Sequence, residues 1–303
     1  MKNTVLILGP TGRLGRNAAQ AFETAGWEVR RFDRDKDTLW DAAWGASVIV
    51  NGWNPPYPQW AAEVPDQTTQ IIEVAKASGA TVIIPGNVYV YGAQGPERFG
   101  PDTPHLATNP LGRVRVNMEA AYRASGVQSF VVRAGDYLDT QASGNWFDMI
   151  IAKPINKGKI SYPGHLNRPH AFTFLPDVAA TMVSLAEKRH SLGLFEDVPV
   201  PSFTLTGEEL ARAISTVVRR KIAAKRMAWW PISIARIAWP MGRALVEMRY
   251  LWDKPHHIDA SRHAALCDDV AMTPLHVALT QALNLNIHPN EAVRPGGQAI
   301  IAQ

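Results

Sequence analysis

The segment that most constrains the fold lies at the start of the chain, where residues 4–15 read TVLILGPTGRLG. A short apolar run leads into three glycines, Gly9, Gly12 and Gly15, with the spacing G-x-x-G-x-x-G. In a strand–turn–helix unit the first glycine permits a tight turn, the second lets a phosphate approach the backbone, and the third lets helix and strand pack closely. The free amides at the start of the helix then favour an anion. The segment predicts a dinucleotide-binding turn, with a purely structural strand–helix turn as the alternative.

Short apolar runs alternate with helical patterns over the first two thirds of the chain. The predicted strands are 4–8, 28–32, 47–50, 81–85 and 128–132, and the predicted helices are 13–25, 65–78, 113–124 and 177–188. This alternation is typical of an α/β fold with a doubly wound parallel sheet, the Rossmann arrangement, in which helices cover both faces of the sheet.

The pattern changes near residue 150, which predicts two parts. Residues 1–150 would form the dinucleotide-binding Rossmann domain, and the segment 177–198 would return to its sheet. Residues 151–303 would mostly form a smaller C-terminal subdomain that binds the substrate.

Two helical patterns stand out in the second part. Thr206 and Glu209 have the spacing of a capping box, which predicts a helix over 206–218. Residues 229–252 carry an apolar stripe at helical spacing, which Pro240 should divide into two short helices. The stripe fits core packing, an aromatic lid over an apolar substrate, or an amphipathic surface against a membrane, and the sequence leaves these open.

Composition excludes several classes of protein. The net charge is +4 and the pI about 9.2, but the basic residues do not form a stripe with aromatics, so no nucleic-acid partner is expected. A single cysteine, Cys267, excludes an internal disulfide framework and suits a reducing cytoplasm. Neither a signal peptide nor a run of about 18 apolar residues is visible, so no stable membrane insertion is expected. The histidines lack a metal-ligand spacing, so no metal is expected.

The end of the second predicted strand carries opposing signals about the nucleotide. Asp33 follows Gly15 at the distance where a carboxylate hydrogen-bonds the adenosine ribose hydroxyls, which favours NAD. Arg34 follows directly and Arg13 lies inside the turn, and guanidinium groups there could hold a 2′-phosphate, which favours NADP. The choice between NAD and NADP stays open.

An ordered series of motifs resembles the extended and atypical short-chain dehydrogenase/reductase superfamily, in its NAD-dependent epimerase/dehydratase branch. The resemblance covers nearly the whole chain. It is carried by the segments GPTGRLG (9–15), VIVNGWNP (48–55), IIPGNVYVYG (83–92), NPLGRVR (109–115), VVRAGDYLD (131–139), FLPDVA (174–179) and HIDASR with MTPLHVAL (257–278).

The resemblance implies that the chain binds NAD or NADP. Contacts with it would come from the glycine turn, the end of the second strand, the loop after the third strand and an arginine in the third predicted helix. The predicted cofactor-binding residues are Gly9, Thr11, Gly12, Arg13, Leu14, Gly15, Asp33, Arg34, Asn51, Gly52 and Arg115.

The catalytic residues implied by the resemblance are largely replaced. The family uses a Tyr as general acid/base, a Lys four residues later and a Ser that orients the substrate oxygen, and the matching positions here hold Leu111, Arg115 and Asn87. Leucine cannot transfer a proton, whereas Arg115 can bind ribose hydroxyls and Asn87 can donate a hydrogen bond to an oxyanion. Tyr89 is the predicted substitute acid, with packing under its loop as the alternative. The predicted catalytic residues are therefore Tyr89, Asn87 and Arg115.

Candidate substrate contacts lie in five regions of the chain. The loop 51–60 (NGWNPPYPQW) is stiffened by prolines and rich in aromatics, and would form an apolar wall beside the cofactor. The predicted substrate-binding residues are Trp53, Asn54, Tyr89, Asp136, Trp146 and His170. Asp136 would shape the pocket, and His170 is a candidate proton relay or an ordinary loop histidine.

Two functions remain open from the sequence. The first is a cytoplasmic NAD(P)-dependent oxidoreductase or epimerase-like enzyme, with an atypical active site, acting on a carbonyl or alcohol of a small, apolar substrate. The alternative is a non-catalytic NAD(P)-binding redox sensor that signals through a partner. The resemblance also implies a possible homodimer formed through helices that flank the fourth strand.

Overall fold

The computed structural model describes residues 3–284, so residues 285–303 of the predicted C-terminal subdomain lie outside the described residues. Within that range the strands are β1 (Thr4–Leu8), β2 (Glu28–Arg31), β3 (Val48–Asn51), β4 (Thr81–Gly86), β5 (Arg98–Phe99), β6 (Ser129–Arg133), β7 (Asp136–Leu138), β8 (Lys159–Tyr162), β9 (His170–Phe174), β10 (Phe195–Pro199), β11 (Phe203–Leu205), β12 (Ala223–Arg226) and β13 (His257–Ile258). The helices are α1 (Arg13–Thr24), α2 (Leu39–Ala43), α3 (Trp60–Ser78), α4 (Pro110–Ala124), α5 (Leu175–Lys188), α6 (Gly207–Val218), α7 (Trp230–Ala235), α8 (Pro240–Met248), α9 (Tyr250–Asp253), α10 (Ser261–Leu266) and α11 (Leu275–Ala282).

Six parallel strands form the central sheet, in the order β10-β6-β4-β3-β1-β2. One face of the sheet packs against α3 and α4, and the other packs against α1 and α5. The inner strands β1, β3, β4 and β6 are buried on both faces because most of their side chains are apolar, as in β1, where all five residues are buried, whereas the edge strand β2 is partly exposed. The predicted α/β class with a doubly wound parallel sheet is confirmed.

The segment 177–198 contributes to this sheet, because α5 packs on its face and β10 pairs with β6 at its edge. Three predicted helices begin earlier than expected. The helix predicted over 65–78 begins at Trp60, the helix predicted over 113–124 begins at Pro110, and the helix predicted over 177–188 begins at Leu175. In α4 the first residue is Pro110. A proline suits the first helical position because the backbone N–H at that position has no partner within the helix, and proline lacks this N–H.

The sheet order also locates a crevice. The chain runs from β1 to β2 on one side and then returns to β3 on the other side of β1. At such a switch point the loops that follow β1 and β3 run in opposite directions. They leave a crevice at the carboxyl ends of these two strands. Gly9 directly follows β1, and Gly52 directly follows β3, so both lie at this crevice.

A second part of the structure packs at this end of the sheet. It contains a three-stranded sheet in the order β11-β9-β7, two strand pairs (β8 with β12, β5 with β13), and helices around a third apolar core. Helix α6 has the predicted capping box, in which Thr206 accepts from the Glu209 amide and Glu209 accepts from the Thr206 amide.

The stripe of 229–252 divides at Pro240, as predicted, because Pro240 opens the new helix α8. Its members do not share one environment. Met248 and Leu251 are buried, whereas Ile234 and Ile237 are exposed, so core packing explains only the second half of the stripe. Across residues 3–284, the structure contains no helix with the length and apolar character needed to cross a membrane.

A substitution at Gly15 tests the close approach of α1 to the turn after β1. A Cβ atom at Gly15 would lie 2.1 Å from the Gly9 carbonyl oxygen, whereas one at Gly12 would lie 3.3 Å from it. We expect Gly15→Ala to lower the free energy of unfolding by about 1–3 kcal/mol, because backbone atoms must move. Gly12→Ala is the matched control and should cost less. Denaturant unfolding measures both, and equal stability of the two variants would contradict this packing.

A second prediction concerns His256, a buried histidine that stays neutral in the folded protein. Its ring is fully buried against Phe99, its Nδ1 lies 3.0 Å from the Lys254 carbonyl oxygen, and burial lowers its pKa to about 3. The unfolded chain takes up a proton on this ring near the ordinary pKa of 6.5, so the folded protein loses stability as the pH falls from there towards 3.

We expect the slope of stability against pH between these limits to fall by about 1.4 kcal/mol per pH unit in His256→Gln. His257→Gln, which changes an exposed neighbour, should keep the wild-type slope. Denaturant unfolding across the pH range measures the slope, and an unchanged slope in His256→Gln would show that another group takes up the proton.

Candidate functional site

The glycine turn after β1 has the backbone geometry that close approach requires. Gly9 has a φ of 67°, and a Cβ atom at Gly52 would lie 2.3 Å from the Leu8 carbonyl oxygen. Helix α1 begins with Gly12 as its N-cap, and it has neither a side-chain cap nor an acidic residue in its first turn. Thr11 is exposed at the turn and Leu14 is buried beneath it. The first-turn amides are therefore left for an anionic group.

Charged side chains surround the end of β2. The Asp33 carboxylate accepts hydrogen bonds from Lys36 Nζ at 2.8 Å and from the Asp35 amide at 3.1 Å, and the Lys36 bond lowers the pKa of Asp33. The Arg34 guanidinium lies 4.8 Å from the ring centre of Trp53. Both opposing signals for the nucleotide are therefore present on the same surface.

The loop after β3 divides between the two ends of the crevice. Trp53 lies beside Gly9 and Arg34, whereas Asn54 reaches Arg115. Asn51 is buried and uses its side chain on the Trp53 amide and the Tyr122 hydroxyl. Asn51 thus shapes the loop from within.

Arg115 is a buried cation on α4. Its side chain is 7% exposed, its Nη2 donates to Asn54 Oδ1 at 2.8 Å, and its guanidinium lies 4.1 Å from the ring centre of Trp60. Burial lowers its pKa, and its Nε has no hydrogen-bond partner. Within residues 3–284 no carboxylate lies within ion-pair distance of it. A buried guanidinium with an unused donor is suited to an electronegative oxygen of a ligand.

Two tyrosines lie next to Arg115. The hydroxyls of Tyr57 and Tyr89 are 2.6 Å apart, and Trp60 packs against both rings. Burial raises the pKa of both phenols, and the Asp136 carboxylate raises them further, so both are protonated at neutral pH. One hydroxyl donates to the other, which leaves one phenol proton for a third group. Sequence reasoning missed Tyr57, whose only signal was its place in the proline-rich loop after β3.

Asn87 begins the single turn that carries Tyr89. Its Oδ1 accepts from the Tyr89 amide at 3.0 Å, and its backbone carbonyl accepts from Arg133 Nη1 at 2.6 Å. Its Nδ2 makes no hydrogen bond within the described part of the chain. Leu111 is buried in the apolar core, so it offers nothing to a ligand's chemistry.

Asp136 and His170 form a second polar pair. His170 Nε2 lies 2.5 Å from Asp136 Oδ2, and the histidine ring is stacked on Trp252 at 4.0 Å with an interplanar angle of 3°. His170 is 1% exposed and its Nδ1 has no partner. Trp146 packs against Trp252 at 5.3 Å, so three predicted substrate contacts meet around a tryptophan that sequence reasoning had not assigned.

A loop crosses from this region to the glycine turn. Arg13 Nη2 donates to the Gly144 carbonyl at 3.0 Å, and the Asp139 carboxylate accepts from Arg16 and Asn17. Asp139 was not predicted as a site residue. These bonds hold the loop 139–146 over the first turn of α1.

The geometry can be compared with known proteins. No protein-family model matches the sequence, and no curated protein matches it significantly. Solved structures do share the fold over nearly the whole chain.

The human epimerase family protein SDR39U1 (isoform 2) with NADPH has a TM-score of 0.70 and 20% identity over 93% of this chain and 99% of that chain. L-threonine dehydrogenase from Phytophthora infestans has a TM-score of 0.70 and 17% identity over 93% of this chain and 98% of that chain. A short-chain dehydrogenase/reductase superfamily protein from Agrobacterium tumefaciens with bound NAD has a TM-score of 0.67 and 15% identity over 93% and 96%. The chain therefore shares the fold of these epimerase and short-chain dehydrogenase/reductase structures.

Proposed function

We propose that this protein is an NAD(P)-dependent oxidoreductase or epimerase-like enzyme that acts on a carbonyl or alcohol carbon of a small, apolar substrate. The observation that carries the proposal is the buried Arg115, which has an unused donor and no carboxylate at ion-pair distance within residues 3–284, beside the protonated Tyr57–Tyr89 pair. The SDR39U1 structure with NADPH and the Agrobacterium structure with NAD support a nicotinamide dinucleotide at the crevice.

The residues of the crevice fit such a dinucleotide. The pyrophosphate would meet the first-turn amides of α1, where no acidic side chain competes. Asp33 and Arg34 would face the adenosine ribose, and Arg115 would donate to the hydroxyls of the nicotinamide ribose. When bound, the nicotinamide ring supplies or accepts a hydride.

The side chains around Arg115 would handle the substrate. The Nδ2 group of Asn87 would donate to the substrate oxygen as negative charge develops on it. Tyr89 would give or take the proton, with Tyr57 as its hydrogen-bond partner. The rings of Tyr57, Trp60 and Tyr89 form the wall beside this position, which favours an apolar substrate.

Calorimetric titration with NAD+, NADH, NADP+ and NADPH tests the coenzyme. We expect micromolar binding of one oxidised and reduced pair. Arg115→Met should raise its Kd about tenfold or more, since a buried charged donor is lost, and Arg115→Lys should retain most of the affinity. Arg113→Met, which changes an exposed arginine on the same helix, is the control.

Substitutions at the end of β2 assign the nucleotide in the same titration. Asp33→Ala should weaken NAD(H) if the carboxylate holds the ribose, and Arg34→Ala should weaken NADP(H) if the guanidinium holds a 2′-phosphate. Absence of binding by all four forms would leave the glycine turn with a structural role alone.

Turnover tests the proton donor. With the coenzyme so identified, a panel of small carbonyl compounds and alcohols provides a substrate. Tyr89→Phe should then lower kcat about 100-fold or more, the usual scale of general acid catalysis, with an unchanged coenzyme Kd. Tyr162→Phe, a buried tyrosine in the third core, should leave kcat unchanged. Wild-type kcat in Tyr89→Phe would remove Tyr89 from this role.

The second candidate is a coenzyme-binding regulatory protein without turnover. It is favoured by Leu111, which is buried in the core at the position where the resemblance implies a catalytic tyrosine. Coenzyme binding without consumption by any compound of the panel would support it. Turnover of the coenzyme with any of these compounds would exclude it.

A further inference from the structure

A helical hairpin of the second part presents apolar side chains to solvent. The aromatic hairpin, as we define it, comprises residues 229–248, that is α7, the turn after it and α8. Trp230, Ile234 and Ile237 are 68%, 62% and 81% exposed. Trp230 and Ile234 lie one turn apart on the same side of α7, and Ile237 follows in the turn after it, where Trp239 is 44% exposed. Four large exposed apolar side chains within ten residues are unusual for a solvated segment.

The hairpin is packed against the protein on its other side. Trp229, next to Trp230, is 5% exposed and its Nε1 donates to the Pro163 carbonyl at 2.6 Å. A Cβ atom at Gly242 would lie 2.7 Å from the Trp239 ring, so α8 and the turn are in close contact. The inner side of the hairpin therefore makes the contacts that fix it to the protein. The exposed apolar side chains lie on its outer side.

Positive charge is concentrated in the part of the sequence that contains the hairpin. Residues 219–249 hold eight basic residues against the single acid Glu247, whereas the net charge of the whole chain is only +4. The basic residues are Arg219, Arg220, Lys221, Lys225, Arg226, Arg236, Arg243 and Arg249. The chain outside this segment is therefore net acidic.

Two of these arginines lie on the hairpin itself. Arg236 and Arg243 line an open groove of about 480 Å³ together with Ile237, Val246 and Glu247. Glu247 Oε1 is occupied by hydrogen bonds from Asn109 Nδ2 and the Leu111 amide, each 2.7 Å long. Neither arginine has an ion pair among residues 3–284.

The neighbouring basic residues differ in this respect. Arg226 and Arg249 share Asp253, each at 3.7 Å, so part of the charge nearby is balanced within the protein. Arg236 and Arg243, which border the exposed Ile237, have no such partner within residues 3–284.

We propose that the aromatic hairpin docks on the surface of a lipid bilayer that carries anionic headgroups. Trp230 and Trp239 are of the residue type that prefers the boundary between headgroups and acyl chains, and Ile234 and Ile237 would enter the apolar layer. Arg236 and Arg243 would meet the lipid phosphates at the same depth. The hairpin lies on the bilayer, because its helices of six and nine residues are far too short to span it.

A second copy of the chain fits this surface less well. A symmetric contact would bring the same patch from both protomers together, and the unpaired Arg236 and Arg243 of each would then face like charges. An anionic bilayer supplies both an apolar layer and the opposite charge.

Vesicle flotation of the full chain tests the proposal. We expect binding to phosphatidylcholine vesicles that contain roughly one third phosphatidylglycerol, weaker binding at high salt, and little binding to phosphatidylcholine alone. Ile237→Ser should raise the half-saturating lipid concentration about tenfold or more, because an inserted apolar side chain is lost. Arg236→Gln should raise it about fivefold, because one charge near the surface is lost.

Matched substitutions elsewhere on the surface provide the controls. Leu194→Ser removes an aliphatic side chain that is 57% exposed, and Lys76→Gln removes an exposed charge, and both variants should bind like wild type. Failure of the wild type to float, or equal binding by Ile237→Ser, would overturn the proposal. A dimer in light scattering that Ile237→Glu converts to a monomer would instead assign the patch to self-association. Lipid binding by the hairpin and coenzyme binding at Arg115 are separate properties, and each can fail alone.

Discussion

The buried guanidinium of Arg133 ties together the elements on which the crevice depends. It lies at the end of β6 and is fully buried, with the Glu119 carboxylate of α4 on one side and the Asp197 carboxylate of β10 on the other. It also donates to the backbone carbonyl of Asn87 after β4. Burying a charge costs several kcal/mol unless its donors are satisfied, and here each partner comes from a different element. Because α4 carries Arg115 and the turn after β4 carries Tyr89, the positions of both depend on this network.

The two buried arginines play different parts because their surroundings differ. Arg133 finds two carboxylates, and burial raises the pKa of Asp197 while the Arg133 guanidinium opposes that rise. His105 also approaches Glu119, but Arg133 already occupies the centre of that acidic cluster. Arg115 has the Asn54 amide and the Trp60 ring instead, and one of its donors has no partner. A cation satisfied within the protein stabilises the fold, whereas a cation left partly unsatisfied at a crevice is available to a ligand.

The same C-terminal segment contacts the candidate site and forms the exposed aromatic hairpin. On its inner side, Glu247 binds the first turn of α4, and Trp252 is stacked on His170. On its outer side, Trp230 and Ile237 face solvent. A bilayer that contacts the outer side would therefore contact a segment whose inner side touches the candidate site.

The sequence by itself determined the features that depend on neighbours along the chain. The glycine spacing predicted the turn after β1, short apolar runs predicted five of the six strands of the central sheet nearly to the residue, and Thr206 with Glu209 predicted the start of α6. Local patterns also placed Pro240 at the start of a new helix. In each case the physical cause lies within a few residues, in backbone freedom, in side-chain periodicity or in a missing N–H.

The tertiary structure decided which side chains meet. The Tyr57–Tyr89 pair joins residues 32 positions apart, and the Asp136–His170 pair joins residues 34 positions apart. Arg115 and Asn54 are 61 positions apart, and the absence of a carboxylate beside Arg115 within the described chain depends on every element packed around it. The sequence also did not predict which side chains of the aromatic hairpin face solvent. The apolar spacing of 229–252 is the same whether these side chains meet a core, a ligand or solvent. Periodicity specifies a face of a helix, but only the packing of distant elements specifies what that face contacts.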